Sequence, residues 1–268
     1  MEASYTPPGG WCRREKSHLA PPKRHPLHLG VSAKRIRFHR AAPLSNELIP
    51  GRSDKTLSPE RHARELQAQK LLEGNGVVLR EGGTYVLQID QDPPPKNSSS
   101  AERSRYLRRY TGQTAVFRFK NGSLQEIEGP LRSAAHPGQK RAQGFTDVNG
   151  DGRDDIAHLR SGVYTYHAKS FGGRFNPIND HSMKVARDLN QDGTIDALEG
   201  RKARREGHYA TGLQWHAGTS TRPSSVGCQT MPPQQYQRFR LAIESGKQST
   251  FTYLLLRRAN EDFGANPF

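Results

Sequence analysis

The residues best suited to covalent chemistry sit together in LQWHAGTSTRPSSVGCQTMP, residues 213–232. His216 lies twelve positions before Cys228, Gly227 directly precedes the cysteine, and Ser225 stands three before it. A neighbouring imidazole lowers a thiol's pKa and takes its proton, which makes a thiolate nucleophile. Glycine before the nucleophile permits a tight turn that aims backbone N–H groups at a developing oxyanion. The order, histidine shortly before cysteine, is not that of papain-like proteases. Alternation puts Trp215 on the opposite side of its strand from His216, toward a core. His208 reads as an exposed turn residue or a second site histidine. A zinc site of His208, His216 and Cys228 lacks recognisable ligand spacing.

Two acidic loops carry a second chemistry. DLNQDGTIDALE, residues 188–199, fits a twelve-residue EF-hand loop. Asp188, Asn190 and Asp192 fill positions 1, 3 and 5, Thr194 offers its carbonyl at 7, Asp196 stands at 9 and Glu199 at 12, with glycine at the sharp turn. The loop DVNGDGRDDIAH, residues 147–158, repeats the pattern with Asp147, Asn149, Asp151, the Arg153 carbonyl and Asp155, but ends on His158, a poor calcium ligand. Hard oxygen donors at this spacing suit Ca²⁺, expected here as a structural clamp. The alternative is a pair of acidic turns held by their own Asx hydrogen bonds.

Positioning such residues requires a sheet. TAVFRF at 114–119, a turn at Asn121-Gly122 and the return SLQEIEG predict a β-hairpin, and GVYTYHA, TGLQWHAG and TFTYLLL predict further strands. Ser58 as N-cap, Pro59 at the first helical position and Gly74 as stop predict a helix over 59–73. Tyr236, Phe239 and Ile243 fall at helical spacing. VVLR, Glu81-Gly82-Gly83 and TYVLQI predict a hairpin over about 77–89, and DPPPKNSSS reads as a linker.

The 268 residues carry a formal charge of +15, with 41 Lys and Arg against 26 Asp and Glu. Residues 1–56 hold eleven of those bases and four of the acids, so nearly half of the excess sits in a Pro-rich, aperiodic segment. That basicity predicts attraction to polyanions, nucleic acid or acidic wall polymers. The tail has a basic run, KRIRFHR, but few aromatics interleaved with its charge, and no nucleic-acid fold motif is present, which disfavours nucleic acid as partner. Hydrophobic residues make up 32% of the chain, too few for a core using its whole length. Two cysteines exclude a disulfide-dense scaffold. No apolar run is long enough to predict a membrane span.

His216…Ser225-Val226-Gly227-Cys228 resembles the signature of L,D-transpeptidases of the YkuD type. TAVFRFKNGSLQEIEG resembles that family's opening hairpin, and GVYTYHA and TGLQWHAG resemble its later strands. Val226 stands where the family usually has histidine, and Thr230 where it usually has arginine or asparagine. The resemblance implies a mainly β fold, sandwich- or barrel-like, with a few short helices and the calcium loops as an insertion at about 145–200. Composition and patterning predict a basic disordered tail at 1–56 and a helix, hairpin and linker at 57–105, and the resemblance implies a catalytic domain at 106–258, followed by a short tail at 259–268. The implied chemistry is attack by Cys228 on peptidoglycan stem tetrapeptides, with His216 as base, Gly227 and Cys228 N–H groups at the oxyanion, and Ser225 shaping the turn. The place of action would be the periplasm or cell wall. The start MEASYTPPGGWCRREK lacks the apolar stretch of a secretory signal. A phage enzyme, a delivered effector or a mis-assigned start would reconcile the two. A non-catalytic, calcium-dependent wall-binding module is the rival expectation.

Overall fold

A computed structural model describes residues 58–95, 97–138, 147–153, 155–168, 170–171, 174–175, 183–192 and 195–258. Both expected tails, the KRIRFHR run, and Gly193 and Thr194 of the second acidic loop lie outside the described residues. The described elements belong to one unit that begins at Ser58.

The first helix, α1 (Pro59–Gly74), starts where the sequence predicts it: the Ser58 hydroxyl accepts the Arg61 N–H, and Pro59 needs no donor there. Its end is capped by Asn75, not Gly74, and Gly76 takes the left-handed conformation. Ala68 and Leu72 form its apolar stripe, and Arg64 pairs with Glu126 at 2.7 Å. The expected hairpin over 77–89 does not form. Val77 packs under α1, Val78 is exposed, and the Arg80 N–H donates to the Tyr85 hydroxyl. Only the second half becomes a strand, β1 (Thr84–Gln91).

At the last residue of the expected DPPPKNSSS linker a helix begins, α2 (Ser100–Leu107), whose Ser99 and Glu102 form a capping box. The hairpin β2 (Gly112–Lys120) and β3 (Ser123–Ser133) follows as predicted, with Asn121 and Gly122 at positive φ in its turn. Next come β4 (Ile156–Leu159), β5 (Gly162–His167), the short pair β6 (Ser170–Phe171) and β7 (Arg174–Phe175), and β8 (Met183–Asp188). Then α3 (Ala197–Glu206), β9 (Tyr209–Ala210), β10 (Trp215–Ala217), β11 (Gln229–Met231), α4 (Pro233–Glu244) and β12 (Thr250–Arg258) complete the order.

The main sheet runs β3-β2-β1-β12-β5, antiparallel except for the parallel β1–β12 pair. β1 therefore lies at its centre, buried on both faces, in the same unit as the strands that flank it. One face packs Tyr85, Leu87, Phe117 and Leu254 against α1. The other packs Val86, Val116, Tyr253 and Leu255 against α4 and the Trp215 strand. The architecture is mixed α/β, with about 36% of the described residues in strands and 26% in helices. The mainly β expectation with a few short helices is met only loosely, because α2 and α3 add helix beside the sheets. Among the described residues no helix is long and apolar enough to cross a membrane.

Candidate functional site

The strands β10 and β11 pair in parallel, with Trp215 opposite Gln229 and His216 opposite Thr230. This short ladder is tied to the end of β3 by a bridge between Ala134 and Thr230. It is anchored by Trp215, fully buried and stacked on Phe239 of α4 at 4.8 Å between ring centroids. Cys228 immediately precedes β11 and so lies beside Gln214, two residues before His216.

Each of the four expected site residues has a definable position. The His216 Nδ1 lies 2.9 Å from the Ala217 carbonyl oxygen. A carbonyl only accepts, so Nδ1 carries the proton and Nε2 keeps its lone pair. The half-buried Cys228 Sγ accepts the Gln214 N–H at 3.4 Å. Ser225 donates its hydroxyl to the Cys228 carbonyl at 2.9 Å and so closes the turn before the cysteine. Gly227 has φ of +143°, and a Cβ there would lie 2.7 Å from the Ala157 carbonyl oxygen. The turn thus requires glycine twice over, for its backbone angle and for its approach to β4. Among the described residues no hydrogen bond takes up the N–H of Gly227 or Cys228.

Cys228 and His216 are not hydrogen-bonded to each other. Burial pushes the thiol pKa above its ordinary value, and the Gln214 N–H only partly counters this. Desolvation also lowers the His216 pKa, against the pull of the Ala217 carbonyl. Both shifts disfavour charge, so the thiol and the imidazole are each favoured in the neutral form.

Several positions here carried no sequence signal. The buried Tyr166 of β5 donates to Gln229 Oε1 at 2.6 Å and is an electrostatic neighbour of Cys228. The Gly138 N–H donates to the Ser225 carbonyl at 3.0 Å, and a side chain at 138 would collide with the Pro223 carbonyl. The Tyr110 hydroxyl lies 2.6 Å from the Thr219 carbonyl oxygen and pins the His216-to-Cys228 loop from α2's end. All three are contacts between distant segments, with no local pattern to betray them. His208 is buried, not an exposed turn residue, with Nε2 3.2 Å from Glu206.

The two acidic loops lie at one end of a shared ribbon. β4 begins where the first loop ends and β8 ends where the second begins, with Ile156 opposite Asp188. Asn149 Nδ2 reaches across to the Leu189 carbonyl at 3.0 Å. In the first loop Asp147 accepts the N–H groups of Gly150, Asp151 and Gly152, and Asp151 accepts that of Arg153. Asp155 Oδ2 accepts the Val148 N–H, while its Oδ1 is buried without a partner. In the second loop Asp188 and Asn190 both accept the Asp192 N–H. Glu199 reaches back to the N–H groups of Leu189, Asn190 and Asp196. Asp196 caps α3. Burial raises the Glu199 pKa, partly offset by these N–H donors. His158 lies buried on β4.

Among the described residues no three His, Cys, Asp or Glu side chains converge closely enough to hold a metal, either at His208, His216 and Cys228 or at the two acidic loops. The calcium donors fit by type: all are oxygen, Glu199 closes its loop as position 12 must, and Asp155 Oδ1 is an orphan acceptor. In the structure their carboxylates turn onto backbone N–H groups. A scan against protein-family models gave no match, and a search of curated proteins found no relative.

Proposed function

We propose that the chain is a cysteine acyltransferase or peptidase of the L,D-transpeptidase type, acting on peptidoglycan stem tetrapeptides. The observation that carries this reading is the β10–β11 ladder. It sets Cys228 on a glycine turn two residues from the register of His216, whose Nδ1 is already held by Ala217. That leaves Nε2 as the base, the orientation general-base catalysis needs. The mixed α/β architecture is compatible with a divergent member of that fold.

In this mechanism Nε2 of His216 takes the Cys228 proton as Sγ attacks the carbonyl between the L-centre and D-alanine. The oxyanion forms beside the Gly227 and Cys228 N–H groups. Collapse breaks the peptide bond, His216 returns the proton to the departing D-alanine amine, and a thioester remains on Cys228. An acceptor amine gives a cross-link or exchange product; water gives a trimmed stem. The neutral resting pair makes proton transfer concurrent with attack. Ca²⁺, held by the two acidic loops, would clamp the β4–β8 ribbon on which Gly227 rests through Ala157.

The test is muropeptide analysis of peptidoglycan incubated with the protein and with Cys228→Ala. New cross-linked or trimmed species with the unmodified protein alone are expected. Identical profiles would overturn the enzyme reading and favour a calcium-dependent wall-binding module.

A further inference from the structure

A cavity of about 710 Å³ does not include Cys228 or His216 in its lining. It opens between the proline loop after β1, the β4–β8 ribbon and the first turns of α3. Its walls are apolar at Pro93, Pro94, Leu159, Ile195 and Leu198, and its polar lining is dominated by Arg160, Arg201, Arg204 and Arg257.

Four arginines face two carboxylates, and those two are committed elsewhere in part. Asp196 caps α3 through the N–H groups of Leu198 and Glu199. Asp92 is half-buried beside Arg257, and its desolvation favours the neutral acid. Arg257 is held by its Nη2, which donates to the carbonyls of Ala135 and Leu159 at 2.9 and 3.0 Å. Its Nη1 is buried without a hydrogen bond of ordinary geometry, with the Tyr106 hydroxyl and the buried Asp90 carboxylate as its electrostatic neighbours. His158, 3% exposed, also lines the cavity, and its Nε2 has no hydrogen-bond partner. Buried guanidinium N–H groups without acceptors are costly, and an oxyanion satisfies them in the geometry guanidinium prefers. A cavity of this volume is within the range that takes a small organic ligand.

We propose that this cavity binds a small organic oxyanion, a carboxylate or phosphate monoester attached to an apolar group. The oxyanion meets the arginines and the apolar body lies against Pro93, Leu159 and Leu198. The inference does not rest on Cys228 or on calcium.

The experiment is a calorimetric titration of the full chain at fixed ionic strength with benzoate, phenyl phosphate and uncharged benzyl alcohol. Saturable one-to-one binding of at least one anion is expected, about tenfold or more tighter than benzyl alcohol, and the tighter anion identifies the headgroup. The Arg160→Ala/Arg204→Ala double variant should weaken it at least about tenfold. Lys202→Ala, on the same helix but outside the cavity, should not change it, and Leu198→Trp should block it at unchanged charge. Three outcomes would overturn the proposal: no saturable binding of either anion, equal binding of benzyl alcohol, or equal effects of Lys202→Ala and the double variant. Far-ultraviolet circular dichroism of each variant shows that it is folded.

Discussion

At the scale of single residues the turn around Cys228 depends on a glycine as much as on the cysteine. Gly227 holds φ of +143° with its α-carbon against the Ala157 carbonyl. Gly227→Ala should therefore lose roughly 2–4 kcal/mol, from left-handed strain plus overpacking, read as a lowered urea midpoint. A loss within about 0.5 kcal/mol, the ordinary scatter of surface changes, would show that the turn relaxes freely. Of the residues around the thiol, His216, Ser225, Gly227 and Cys228 were legible because they lie within one short stretch of sequence. Tyr166, Gly138 and Tyr110 were not, because each reaches the site from a distant strand or loop. His208 was misread because a histidine after a helix resembles a turn residue until the β8–β9 pairing buries it.

At the scale of elements, local signals worked where one segment determines its own conformation. The Ser58–Pro59 start of α1 and the Asn121-Gly122 turn are of that kind. The capping box of α2 was equally local but was masked by the proline- and serine-rich text around it. The central place of β1 could not be read, because its partners are β2 and the far-off β12, and a parallel pair leaves no turn signature. The acidic loops make a prediction at this scale. Ca²⁺ should raise the melting temperature, by about 2.7 kcal/mol of added stability at a hundredfold excess over Kd, and a chelator should reverse it. Asp188→Asn and Glu199→Gln should shrink the calcium-dependent increment in differential scanning calorimetry. A melting temperature indifferent to both Ca²⁺ and chelator would leave the loops as self-bonded turns.

At the scale of the whole molecule, the fold keeps several imidazoles out of water. Burial lowers the pKa values of His136, His158 and His216, opposed at His136 by Asp90 and reinforced at His158 by Arg257. As pH falls through the ordinary imidazole value, near 6.5, the unfolded chain binds protons that the folded one does not, so stability falls. Each histidine still neutral in the fold contributes about 1.4 kcal/mol per pH unit to that slope. Asp92 and Glu199, with raised pKa values, act in the opposite sense, adding stability as pH falls from their raised values toward the ordinary carboxylate value. Urea unfolding between pH 7.5 and 5 should therefore show a falling midpoint, and a flat profile would contradict burial of neutral imidazoles. The low hydrophobic content is met by concentrating apolar residues on the two faces of one central sheet. The central claim, that Cys228 is an acyl-accepting nucleophile served by His216, is tested most directly by intact-protein mass spectrometry after mixing with a stem tetrapeptide. The account predicts an adduct equal to the donor less D-alanine, mapped to Cys228, slow to form in His216→Ala and absent from Cys228→Ala. An unmodified mass under turnover and rapid-quench conditions alike, or an adduct that survives Cys228→Ala, would contradict it.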